Sequence, residues 1–391
     1  MTIGPVRSIA AVLPLVLAFT GLPRTAQGED LVRVPLEATL VTHVQTLASP
    51  AFQGRRGPGA RRAASYILDA WKTFNLKPLF DTRFTQDVVD EATGLIIGQN
   101  LGAIIPGSDP ALEREWVLLG VHYDHLGVHR GVVFPGADDN ASSVAMMLEV
   151  ARCLSQAGPE FAPRRTIVFM AFDLEEDGLV GSQYFVNHPP RPLEDLKLMV
   201  TGDMLSRALG GVCKSDLYAM GTEFSPGIRE PLRRASVDMP LTLKMIGNDM
   251  LAVDRSDYGP FRRRHIPFLF LSTGENPTYH TPDDRPETID AAKLAAASQL
   301  VFKLLTELLN QKQLPPWSDQ PTHELSEAEA IRDTLRQLVD HAQELKLNVL
   351  QTTMIRGVVR DLDAAIGRGQ LTGPERQKLV TQAQVILYSI L

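Results

Sequence analysis

Four apolar runs of strand length mark the middle of the chain, and each gives way to polar residues with chemistry. Trp116 to Val121 runs into His122-Tyr-Asp124-His125-Leu-Gly127, and Thr166 to Phe172 runs into Asp173-Leu-Glu175-Glu176-Asp-Gly178. Leu198 to Gly202 stops at Asp203, and Ile266 to Ser272 leads through a turn into Thr278-Tyr279-His280-Thr281. Short continuous apolar runs bounded by turn residues predict strands buried on both faces. Between the first two runs, Gly136-Ala-Asp138-Asp139-Asn140 precedes 141 to 154, whose continuous apolar face predicts a helix. Strands alternating with helices predict an open α/β sheet.

In such a sheet the residues just beyond the carboxyl ends of the strands collect in one crevice, which is where ligands bind. His122, Glu175, Glu176, Asp203 and His280 all fall there, and Asp139 joins from a helix start. The Glu175-Glu176 pair alone is no stronger than a surface turn; the recurrence of the pattern gives it weight. Imidazoles and carboxylates without thiolate suit zinc, with manganese or cobalt as substitutes. The candidates exceed what one tetrahedral ion needs, so two metals bridged by a carboxylate and a water are the economical reading.

The segments HYDHLG, PGADDNAS, LEEDGLVGS, GDM and YHTPDD, in this order, resemble the secreted di-zinc aminopeptidase family. These are the bacterial leucyl-type aminopeptidases, related to glutamate carboxypeptidases and glutaminyl cyclases. The resemblance covers roughly residues 38 to 312. It implies a mixed, mostly parallel central sheet with helices on both faces. It further implies that His122 and Asp203 hold one zinc, Glu176 and His280 the other, and that Asp139 bridges both. Glu175 corresponds to the family's general base, Asp124 to the acid behind the first histidine, and Tyr279 to a tyrosine that in some members hydrogen-bonds the oxyanion. The family holds the bond after the bridging aspartate in cis, which predicts a cis Asp139-Asn140 peptide. The implied activity is hydrolysis at the free N-terminus of a peptide, with a single-zinc glutaminyl cyclase and a non-catalytic binding domain as the alternatives.

Other polar residues have simpler expectations. His125 is read as capping a turn, with contact near the site as the alternative; His129, His188, His265, His323 and His341 are read as surface or packing residues. Asp138 serves the helix start, while Asp283 and Asp284 are turn residues, either of which could orient His280. Relatives often carry Ser-Asp-His where this chain has Ser256-Asp257-Tyr258, and Met204-Leu-Ser-Arg207 replaces the usual Ile-Gly-Arg continuation. Neither departure removes a ligand, and both bear on which side chain is accepted.

With 391 residues, 44% hydrophobic and 22% charged, the chain can build one sizeable α/β domain and a smaller unit. A net charge of −7 gives no general attraction to nucleic acid or anionic membranes. The pairs Arg55-Arg56 and Arg61-Arg62 and the run Arg262 to Arg264 are read as solvent-facing or near the sheet edge. Arg7, the interrupted apolar run from Ile9 to Leu22 and Ala26-Gln-Gly28 predict a signal peptide over residues 1–28, hence export to the periplasm or beyond and no stable membrane span in the mature chain. The catalytic domain is expected over 29–314. The proline-rich stretch from Gln313 to Pro321 marks a boundary, and 322–391 reads as a helical appendage. Its helices are expected to start at a capping box from Ser326 to Glu329, near Val349, and at Thr372-Gly-Pro-Glu375. Cys153 reads as a buried small hydrophobe, so no disulfide to Cys213 is expected.

Overall fold

The computed structural model describes residues 34–158, 162–250 and 254–390; the expected signal peptide lies outside them. The strands are β1 (Lys77–Pro78), β2 (Thr85–Val89), β3 (Ile96–Ile105), β4 (Trp116–His122), β5 (Gly127–His129), β6 (Val132–Phe134), β7 (Thr166–Phe172), β8 (Leu196–Gly202), β9 (Asp216–Met220), β10 (Thr242–Met245) and β11 (Phe268–Ser272). All but the β5-β6 hairpin form one sheet in the order β1-β3-β7-β4-β8-β11-β9-β10, with β2 paired to β3. The four central strands β7, β4, β8 and β11 are mutually parallel, while β3 and β9 flank them antiparallel.

Period-two geometry divides each central strand between two cores. Val117, Leu119 and Val121 face the same cluster as Ile167, Phe169 and Ala171. Trp116 and Leu118 face the other, with Val168, Met170 and Phe172. The first core is covered by α1 (Glu37–Leu47), α2 (Pro58–Thr73), α3 (Ser143–Ser155), α5 (Arg229–Ser236) and α7 (Ala291–Asn310). The second is covered by α4 (Val180–Asn187), α6 (Tyr258–Arg262) and the C-terminal helices α8 (Leu325–Asp340), α9 (Val349–Gly367) and α10 (Gly373–Ile390). The mixed, mostly parallel sheet with helices on both faces agrees with the expectation.

The linker into α8 is held by Trp317, which stacks on Phe224 at 4.5 Å and on His265 at 5.3 Å. The capping box expected at Ser326 does not form. Helix α8 starts at Leu325, two residues earlier than that box would place it, and the Ser326 hydroxyl donates to Glu324 instead. A capping box closes α9, where Asn348 and Gln351 exchange hydrogen bonds, and Thr372 and Glu375 do the same at α10. Cys153 and Cys213 are buried thiols. Among the described residues no helix is long and apolar enough to cross a membrane.

Candidate metal centre

Four adjacent parallel strands deliver their ends to one crevice. His122 ends β4, Glu175 and Glu176 follow β7, Asp203 follows β8, and His280 lies in the turn after β11. Asp139 comes from the irregular turn before α3, and its bond to Asn140 is cis, as expected. The Asn140 amide donates to the Gly202 carbonyl at 3.0 Å, which ties this turn to the end of β8.

The side chains form two groups that share Asp139. Asp139 Oδ1 lies 3.5 Å from His122 Nε2, which lies 3.6 Å from Asp203 Oδ2. Asp139 Oδ2 lies 3.1 Å from His280 Nε2, which lies 3.1 Å from Glu176 Oε2. The two trios His122/Asp139/Asp203 and His125/Asp139/Glu176 are each close enough to hold a metal ion. Both ring nitrogens of His122 are buried without hydrogen-bond partners. Orphaned polar atoms of this kind are costly unless something binds them, and imidazole with carboxylate suits a divalent cation.

His125 is not a turn cap. It is fully buried, and its Nδ1 lies 2.7 Å from Glu176 Oε1 and 3.7 Å from Asp139 Oδ2. Asp124 lies behind the His122 ring, with Oδ1 3.7 Å from Nδ1, and its two oxygens accept from the main-chain nitrogens of Glu175 and Glu176 at 3.2 and 3.3 Å. Asp124 therefore fixes the direction in which the two glutamates leave β7.

Glu175 is half-buried. Burial raises its pKa well above the ordinary value, opposed by His122 and reinforced by Asp203, Asp257 and Asp124. Burial lowers that of His122, but Glu175 and Asp203 overcome it and leave the group well above its ordinary value. Tyr279 stacks on the His280 ring at 3.9 Å and 20°.

The turn carrying Asp139 is held by Arg55, Asp284 and, through Ser206, Asp138. Arg55 is fully buried rather than solvent-facing. It donates to the carbonyls of Leu47, Tyr123, Pro135, Gly136 and Asp139. Only tertiary structure gathers five carbonyls around one guanidinium, so the charge alone pointed to solvent. Asp284 accepts from the main-chain nitrogens of Asp138 and Asp139 at 3.0 Å and does not orient His280. Asp138 accepts from both the nitrogen and the hydroxyl of Ser206; burial, with Asp284 nearby, pushes its pKa up to about 7. Gly136 has φ +59°, and a Cβ there would lie 2.1 Å from the Asp139 carbonyl oxygen. Tyr258, at the departure from the relatives' motif, is buried and stacks on Phe268 and Phe270 at 4.8 Å. It is a core residue here.

The sequence model for Peptidase family M28 matches residues 100–305, a little over half of the chain. The chain belongs to peptidase family M28. Among the relatives, Aminopeptidase YwaD of Bacillus subtilis is 29% identical over 210 residues, which are 51% of this chain and 42% of that protein. Leucine aminopeptidase 1 of Ajellomyces dermatitidis is 24% identical over 304 residues, 74% of this chain and 75% of the other. The chain thus spans less than half the length of the first relative and three quarters of the second. LapB from Legionella pneumophila shares the fold with a TM-score of 0.58 at 19% identity, over 72% of this chain and 74% of that one. Glutaminyl cyclase from Porphyromonas gingivalis shares it with a TM-score of 0.57 at 20% identity, over 70% and 99%.

Proposed function

We propose that this chain is an exported zinc-dependent aminopeptidase that releases residues from the free N-termini of peptides. The observation that carries the reading is the position of Asp139, whose two oxygens face two separate imidazole and carboxylate groups. His122 and Asp203 would hold one zinc ion, Glu176 and His280 the other, and Asp139 both. Bound there, two zinc ions supply Lewis-acid polarisation of the scissile carbonyl and a water acidified toward neutral pH.

The chain's own residues do the rest. Glu175, its pKa raised by burial, takes a proton from the attacking water and passes it to the leaving amine. Asp124 holds the main chain of Glu175 in place, and His125 orients the Glu176 carboxylate. Tyr279, packed on His280, offers a hydroxyl to the developing oxyanion. A site that binds the substrate's free amine counts from the N-terminus, which makes the hydrolysis exopeptidic.

Cyclisation of N-terminal glutamine on a single zinc is the competing activity on this fold. The presence of both groups around Asp139 favours two metals and hydrolysis. Metal content of the purified mature chain, with turnover of free and N-acetylated peptides, tests the reading. Two zinc ions and cleavage of free N-termini only are expected. One zinc with glutamine cyclisation would make it a cyclase, and no turnover a binding domain. N-terminal sequencing of the mature chain tests removal of residues 1–28.

A further inference from the structure

An apolar cavity of about 140 Å³ adjoins the candidate metal centre, and Asp203 and Tyr279 belong to its lining. Met220 of β9 and Phe270 of β11 form part of its wall on the sheet. Its other side is built by the C-terminal helices, with Leu335 from α8 and Ala383 and Leu387 from α10. These helices lie outside the residues 100–305 that match the family.

We propose that α8 and α10 complete the pocket for the side chain of the substrate's first residue, with Leu387 and Tyr388 setting how large a side chain it admits. The proposal rests on the aminopeptidase reading above and names residues that set the specificity of its site.

Continuity comes first. A cavity sharing Asp203 and Tyr279 with the metal centre lies within one side chain's reach of the reacting bond. Size comes next: an engineered apolar cavity of roughly 150 Å³ holds a benzene molecule, so the volume here suits an isobutyl or benzyl group. Charge agrees. Besides Asp203, the charged lining residues are Arg255 and Glu275, and these two pair with each other. A charged substrate side chain would enter without a free counter-ion.

The helical wall is anchored. Arg376 of α10 binds Glu327 of α8 through Nε and Nη2 at 2.7 Å each, and binds Asp249 through Nη1 and Nη2, also at 2.7 Å each. Glu327 also accepts from the Gly247 main chain at 2.7 Å. Under α8, Lys244 of β10 binds Asp216 of β9 at 2.6 Å and donates to Thr334 at 2.9 Å. The buried Arg376–Glu327 pair therefore joins α10 to α8, Arg376 ties both to Asp249 in the loop that carries Met250, another lining residue, and Lys244 ties α8 to the sheet edge through Thr334.

The test uses the full-length, zinc-loaded chain and the ratio of kcat/KM for phenylalanine and alanine p-nitroanilides. Leu387→Trp fills the pocket and is expected to lower this ratio at least tenfold, with zinc content unchanged, while Leu387→Met keeps the ratio within about threefold. Tyr388 also lines the cavity and is 60% exposed, so Tyr388→Ala leaves folding intact and is expected to lower the ratio at least threefold. If the wild type hydrolyses both substrates and neither Leu387→Trp nor Tyr388→Ala moves the ratio, the helices do not form the pocket, and the aminopeptidase reading stands without them. A wild type that prefers alanine overturns the pocket assignment in the same way. A wild type that hydrolyses no p-nitroanilide overturns the proposed function and this inference with it.

Discussion

Arg55 Nη2 donates to the main-chain oxygen of Asp139 at 3.0 Å, so a cation buried 84 positions upstream in sequence sets the main-chain path of the residue shared by both candidate metal-binding groups. Replacing Arg55 by Leu orphans up to five carbonyls. Expected are a stability loss of about 3 kcal/mol or more and a fall of roughly 10–100-fold in zinc affinity. Urea unfolding of the metal-free chain and zinc titration with a competing chelator measure the two effects separately.

Glu175→Gln keeps the size of the side chain and removes its basicity. The expected result is a kcat lower by ~10²–10⁴-fold with the zinc content of the wild type, read by steady-state kinetics and elemental analysis. Full activity in this variant would remove Glu175 from the proton transfer.

Asp139 and His280 should differ in what their loss releases. Asp139→Ala removes the carboxylate that faces both groups, and both ions are expected to leave on dialysis. His280→Ala touches the Glu176 side only, and one ion per chain is expected to stay. Equal stoichiometry in the two variants would argue against a shared aspartate.

The Glu327 carboxyl gives a pH dependence remote from the candidate metal centre. Burial raises its pKa, but hydrogen bonds from Arg376 and His323 outweigh burial and bring it to about 2. A carboxyl depressed in the folded state stabilises fully above its unfolded pKa, near 4.5, and loses that contribution as pH falls toward 2. Glu327→Gln should therefore cost about 3 kcal/mol at pH 7, and the gap to wild type should narrow between pH 4.5 and 2. Urea midpoints at pH 7 and pH 3.5 would show it, and a constant gap would refute the assignment.

The strand ends that carry His122, Glu176 and Asp203 could be read from the sequence because each closes an uninterrupted apolar run, and a parallel sheet sends such ends to one crevice. His125 could not be read in the same way. The spacing His122-x-x-His125 was visible, but whether the second ring turns inward depends on the path toward Gly127, which has φ +85°. Arg55 and Asp284 act on main-chain groups far away in sequence, and no local pattern records such partners. The Ser326 capping box failed for a related reason: a motif of four residues competes with the docking of a whole helix, and α8 starts where Glu327 meets Arg376.

The crevice gathers Asp124, Asp138, Asp139, Asp257 and Asp284, all buried, beside Glu175, Glu176 and Asp203. Arg55, His122, His125 and His280 are the basic groups named among them. Packing this many acids together opposes folding unless cations arrive. A ligand that binds only the native state at a hundred times its dissociation constant adds ~2.7 kcal/mol, so each zinc ion would act as a structural strut as well as a reagent. Losing the ions would then cost the molecule its catalysis and much of its resistance to heat and proteolysis in a single event, tying the lifetime of the protein to the metal content of its surroundings.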